Sequence, residues 1–124
     1  MIIGQYIVAL LNADPAFSAL CNGRVFALFA KQDTPLPRVV YSEVDSIPVN
    51  DFQGRTWLTK SRVQIDCYAT TYLGAHNVAN RVHAVFDSRD EEENPCSLYI
   101  VGRDLFDDEF KIYRVSLDFS MWIR

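Results

Sequence analysis

Two histidines, His76 and His83, and two acidic runs, Asp90-Glu91-Glu92-Glu93 and Asp107-Asp108-Glu109, are the groups of this chain with the chemistry to hold a metal or move a proton. Histidine pairs that share an ion on a helix stand three or four positions apart. These stand seven apart, about 10 Å at ~1.5 Å rise per residue, too far for one ion, and two surface histidines are expected. The run Asp90 to Glu93 lacks the alternating ligands and the glycine of a calcium loop, so it reads as a solvated loop. The run Asp107 to Glu109 reads as a turn. A hydrolytic carboxylate pair needs one member buried and raised in pKa, which exposed turns do not offer. Cys21, Cys67 and Cys96 are odd in number, far apart and without CxxC spacing. That argues against a zinc site and a disulfide framework and for reduced, mostly buried thiols. With 5 glycines, the chain has no nucleophile elbow, phosphate loop or dinucleotide fingerprint. The expectation is a protein with no catalytic residues, no metal and no cofactor: not an enzyme.

Trp57, Tyr68 and Trp122 would stack on bases only beside a basic groove. The 12 basic residues run from Arg24 to Arg124 with no two adjacent, against 16 acidic ones, for a net charge of −4. Duplex binding depends on clustered Lys and Arg, so the aromatics read as packing or interface residues. Such a balance suits a protein that DNA slides past without specific binding. The opening MIIGQYIVALLNADP has no basic leader, and its apolar positions are periodic. It reads as neither a signal peptide nor a membrane span, and no membrane partner is expected.

The elements that would position these groups follow from periodicity. At 124 residues, one domain over 1–124 is expected. Ile3, Tyr6, Ile7, Leu10 and Leu11 form a helical stripe. Asp14 and Pro15 suit the N-cap and first turn of a short second helix, with Phe17 and Leu20 inward and Asn22-Gly23 at its end. Val25-Phe26 suggests a short strand, Thr34 to Pro37 an extended connector or edge, and Arg38 to Val44 a β-run. Asp45 to Gly54 reads as a loop on its Pro48, Asn50-Asp51 and Gly54. Arg55 to Ala69 is the clearest strand, with Trp57, Thr59, Ser61, Val63, Ile65, Cys67 and Ala69 on one face. Thr70 or Thr71 caps a helix to Asp87, whose buried stripe is Ala75, Val78, Ala79, Val82, Val85 and Phe86. A strand starts at Leu98 to Val101, and Phe110 to Ile123 forms the last, with Tyr113, Val115, Leu117, Phe119, Met121 and Ile123 on one side. Two helical stripes and one strongly apolar sheet face predict an α+β fold: a two-layer sandwich, mostly antiparallel, with helices packed on one face.

One strand overreaches. A domain of this size is roughly 35 Å across by radius-of-gyration scaling, whereas Arg55 to Ala69 spans roughly 50 Å at ~3.3 Å per residue. It bends at a bulge or projects, and its polar first half, with Trp57 and Leu58 near the tip, favours projection. A projecting two-stranded arm is marginal alone, and its edges invite another chain. The region Ile47 to Leu58 is therefore expected to contact a neighbouring subunit through Ile47, Val49, Phe52, Arg55, Trp57 and Leu58.

Several stretches, in order, carry a family resemblance. They are Gly23-Arg24-Val25-Phe26, Leu36-Pro37-Arg38-Val39-Val40-Tyr41, Val63-Gln64-Ile65-Asp66-Cys67-Tyr68-Ala69 leading into the helix with Ala75, Ala79, Val82 and Phe86, and Arg114 to Trp122. With the opening helix and its Asp-Pro-Ala break, the chain resembles the tail-completion or tail-terminator family of long-tailed phages and prophages, relatives of the lambda tail terminator. The resemblance implies a virion structural protein whose subunits form a homo-hexameric ring. That ring caps the polymerised tail tube and joins it to the head-side connector. The implied partners are the chain itself, the major tail-tube protein and the head–tail connector or stopper protein, with DNA passing through the lumen. Three readings compete: a head-completion or stopper protein of the neck, a small ligand-binding α+β domain, and a nucleic-acid-binding protein.

Overall fold

In the computed structural model the described residues are 2–31, 33–51, 54–87, 89 and 95–124, with side chains described for all of them except Asp51, Arg55, Thr56 and Trp57. Helix α1 (Ile3–Ala13) buries Ile3, Ile7 and Leu11, the centre of the expected stripe. Helix α2 (Pro15–Cys21) follows at once. Pro15 occupies its first turn, the Asp14 carboxylate accepts from Phe17 N at 3.2 Å, and Asn22 ends it in the left-handed region. Helix α3 (Tyr72–Phe86) starts where Thr71 Oγ1 accepts from Gly74 N at 3.0 Å, which satisfies one of the helix's open donors. Arg81 donates twice to Asp14, at 3.0 and 2.9 Å, and so ties α3 to the cap of α2.

Five strands form one sheet: β1 (Val25–Ala27), β2 (Arg38–Asp51), β3 (Gly54–Ala69), β4 (Cys96–Asp107) and β5 (Ile112–Ile123), in the order β1-β2-β3-β5-β4. Only β1 and β2 run parallel; the other neighbours are antiparallel. The chain leaves β3, crosses through α3 to the far edge as β4, and returns as β5 between the two.

One face of the sheet is apolar, and the three helices cover it. Val63, Ile65 and Cys67 of β3 and Leu117, Phe119 and Met121 of β5 join Phe17, Ile7, Leu11, Val78, Val82 and Phe86 in a continuous core. Phe119 is at its centre, its ring centroid 5.8 Å from that of Phe86 and 5.6 Å from that of Tyr99. Gly4 lies where α1 approaches β2, and a Cβ there would meet Tyr41 Oη at 2.9 Å. The α+β sandwich with helices on one face is the expected architecture.

The segment Asp45 to Gly54 departs from expectation. From Asp45 to Asp51 it is not a loop: β2 continues to Asp51 and pairs with β3 as far as Asp51↔Gly54, with residues 52–53 outside the described set. Pro48 signals a turn in the sequence, yet it lies within the strand. A proline costs a sheet no ladder bond on an outer edge, and β1 covers β2 only from Val39 to Tyr41. The other boundaries shift less: β3 begins one residue earlier than Arg55, β5 begins at Ile112 instead of Phe110, and β4 runs from Cys96 to Asp107.

Candidate assembly interface

Among the described residues no helix covers the sheet's second, open face, and the register assembles it in rows across β2, β3, β5 and β4. Each row follows from cross-strand partners, which share a face. From one end they read Arg38-Tyr68-Arg114-Leu105, Val40-Asp66-Ser116-Arg103, Ser42-Gln64-Asp118-Val101, Asp45-Arg62-Ser120-Leu98 and Ile47-Lys60-Trp122-Cys96. Beyond the last row Val49 and Leu58 continue the face, paired with each other, and the strands stay paired as far as Asp51↔Gly54.

That continuation is the arm. The pairing of β3 with β5 stops at Thr59↔Ile123, so Gly54 to Leu58 have only β2 beside them, a projection of about 16 Å at ~3.3 Å per residue. Ile47 is 55 % exposed at its root, with Val49 and Leu58 half-buried further out. Opposite Ile47, the Lys60 ammonium lies 5.6 Å from the Trp122 ring centroid, a cation–π arrangement. Of the six expected contact residues, the fold thus brings Ile47, Val49 and Leu58 together on the open face. The backbone of Arg55 and Trp57 lies in the arm's β3 strand, their side chains outside the described set; Phe52 lies outside the described residues. Lys60 and Trp122 belong to the same surface and were missed. Alternation alone places Lys60 beside Leu58, and Trp122 opposite the apolar face of β5.

The middle rows are polar. Arg62 Nη2 donates to Asp118 Oδ2 at 3.1 Å, with the aspartate buried and its Oδ1 unpartnered, and Ser116 Oγ is likewise buried without a partner. At the far end, the Arg38 and Arg114 guanidiniums lie 5.3 and 5.9 Å from the Tyr68 ring centroid. Arg38 is 8 % exposed; its Nη1 donates to Thr34 O at 2.8 Å and its Nε has no partner. No described carboxylate forms an ion pair with it. Burial works against the Arg114 charge, but the Tyr68 hydroxyl, Asp66 and Asp107 outweigh it and hold its pKa above the usual value. This row lines a cavity of about 660 Å³ with Ala30, Leu105, Phe106, Phe110 and Ile112 as apolar wall and Asp107 and Asp108 beside it.

The histidines belong elsewhere, to a groove of about 370 Å³ between α3 and β4. His76 Nε2 lies 2.9 Å from Asp104 Oδ1 without the alignment of a hydrogen bond, and the His83 ring stacks edge-on at 4.4 Å from Tyr99. The Tyr72 hydroxyl donates to Asp104 Oδ2 at 2.8 Å, and that hydrogen bond raises its pKa. Among the described residues, no group of three or more His, Cys, Asp or Glu could hold a metal. The run Asp90 to Glu93 lies outside the described residues.

The sequence profile of a family described as "Tail completion protein gp17" matches residues 5–124. No curated protein matches the chain. Among solved structures, a chain of the "Virion of native gene transfer agent (GTA) particle" has the same fold. Its TM-score is 0.75 at 17 % identity, over 94 % of this chain and 90 % of that one.

Proposed function

The chain belongs to the tail completion protein gp17 family, a structural protein of the phage tail or neck, and from that premise we propose that it works as one subunit of a closed ring. Six copies cap the end of the tail tube, stop its growth and join it to the head-side connector or stopper protein, with DNA passing through the lumen. The protein acts by assembly and not by catalysis, and takes no cofactor.

The arm carries this reading. A globular monomer of 14.2 kDa has about 6,800 Å² of accessible surface by size scaling, and this chain has 7421 Å². The excess fits a strand pair that extends from the body of the sheet. Permanent interfaces commonly bury more than about 2,000 Å². A subunit this small reaches that area more readily by projecting elements than by flat contact. A ring needs a heterologous contact whose rotation closes, and an arm at one end of the sheet supplies a directional one. The fold shared with a chain of a gene transfer agent particle supports a place in a phage-like virion.

The test is the mass of the purified protein in solution, with and without tail tubes, followed by tube growth in its presence. A hexameric mass and arrested tubes are expected. A monomer that leaves growth unchanged would overturn the reading, and a ring that binds only the head-side portal would move it to a stopper. Trp57→Ala should raise the concentration needed for assembly at least 10-fold with an unchanged melting temperature. Unfolding of that variant would put Trp57 in the core instead.

A further inference from the structure

In the cavity at the Arg38 end of the open face, the acids are engaged and the cations are not. Arg38 is buried, its Nη1 donates to Thr34 O, and its Nε has no acceptor. Among the described residues neither Arg38 nor Arg114 has a carboxylate in ion-pair reach. A buried cation left this way is costly unless something outside the chain completes it. The two acids on the cavity wall are committed to the turn between β4 and β5. Asp107 Oδ1 accepts from Glu109 N at 3.0 Å and from Phe110 N at 3.2 Å, and Asp108 Oδ1 pairs with Lys111 Nζ at 2.9 Å. Asp66 and Asp107 act on Arg114 only from beyond ion-pair distance. The guanidiniums beside the Tyr68 ring are thus the unmatched charges of the site.

The walls limit what can carry the missing anion. Phe106 and Phe110 are about half exposed there, and Leu28 and Phe29, which lead into Ala30 on the same wall, are 75 and 74 % exposed. Exposed apolar groups gathered beside polar ones mark a protein contact. A nucleic-acid backbone is met by clustered bases, and an aromatic wall adds nothing to its hold. At about 660 Å³ the cavity has the size that encloses a ligand and not a lone ion. A peptide with one acid among apolar side chains matches both the charges and the walls.

We propose that this cavity is the seat of an acidic peptide from a second virion protein. The peptide is a segment with one Asp or Glu flanked by apolar residues, its carboxylate between Arg38 and Arg114 and its flanks against Phe106 and Phe110. That carboxylate supplies the acceptor that Arg38 lacks, and guanidinium–carboxylate pairs are among the strong charge-assisted hydrogen bonds. The proposal rests on the family's place in the virion and not on ring closure, since one copy carries every wall of the site.

The test uses the full chain with p-benzoylphenylalanine in place of Phe110. It is irradiated once with tail tubes and once with the head-side connector protein, and the linked peptides are read by mass spectrometry. A link to one of these proteins is expected, at a peptide with an Asp or Glu beside the attachment point. Arg38→Met should cut its yield by about 10-fold or more, the loss expected when a charged hydrogen bond goes. The same change should leave the melting temperature of the free protein level or raise it, because it removes a buried charge that has no partner there. A lower melting temperature with an undiminished link would make Arg38 purely structural and overturn the proposal. Should Arg38→Met unfold, Arg114→Gln at a half-buried position decides: the same loss of yield supports the seat, and an unchanged yield overturns it. A linked peptide without an acid, a link only to another copy of this chain, or no link to either protein would also overturn it. The mass of the wild-type assembly in the same samples reports on the ring separately, so a failed seat and a failed ring are told apart.

Discussion

Burial holds the two inner thiols neutral. Desolvation pushes the Cys21 thiol up to about 11 against the lesser pull of Arg24, and raises Cys67 well above 9.0, helped by Cys21 and Asp66. A folded-state pKa above the unfolded value near 9 gives stability that is complete below pH 9 and lost as pH rises toward 11. The limiting slope is about 1.4 kcal/mol per pH unit for each thiol. Cys21→Ala should therefore lose unfolding free energy less steeply than the wild type between pH 9 and 11 in urea titrations; equal slopes would sink the account. The sequence made this legible, since an odd, scattered set of cysteines has little to do but pack. The Arg38-Tyr68-Arg114 row was not legible. Its members lie 30 and 46 residues apart along the chain, and only the registers of β2 on β3 and of β3 on β5 bring them side by side. Alternation fixes which face a residue takes within its own strand, but never its neighbour on the next.

At the scale of elements, the arm was half legible. Comparing the length of β3 with the size of the body was enough to call for projection. Its other strand, the part of β2 from Asp45 to Asp51, reads as a loop, because Pro48 and Asn50-Asp51 are turn signals wherever they occur. What overrides them is pairing: past Tyr41, β2 has β3 on one side and, among the described residues, no strand on the other, so a proline whose nitrogen faces outward removes no ladder bond there. The three helices were clearer, since each presents an apolar stripe, and Asp14 and Thr71 stand ahead of α2 and α3 as capping residues. An arm that serves only assembly should be dispensable to the fold. Replacing Pro48 to Thr59 by Asn-Gly would close the hairpin at Ile47↔Lys60 with a two-residue turn of favoured type. The melting temperature should stay within about 3 °C, less than the shift that ~1 kcal/mol produces in a domain this size. Sedimentation should find the variant monomeric where the wild type forms rings. A drop of 10 °C or more would show that the arm is part of the core's support.

At the scale of the molecule, charge is unevenly placed. The rows of the open face carry Arg38, Lys60, Arg62, Arg103 and Arg114 against Asp45, Asp66 and Asp118, although the chain as a whole is at −4. The remaining surface therefore holds the acidic excess. The sequence showed the totals but not this segregation, because the strand order, with β5 inserted between β3 and β4, decides which bases share a face. The segregation has a consequence for DNA. If the bases of the open face are met by a neighbouring subunit, the surface left for the lumen is acidic, and a duplex threads it without being held. Affinity for non-specific duplex then falls below the usual range, with a Kd weaker than about 10⁻⁴ M at ~0.15 M salt. Fluorescence anisotropy on the assembled ring measures this directly. Micromolar binding that weakens steeply with salt would mean that Lys60, Arg62 and Arg103 face the passing phosphates. In that case the open face lines the channel, and subunit contact must be sought on the sheet edges or the helices.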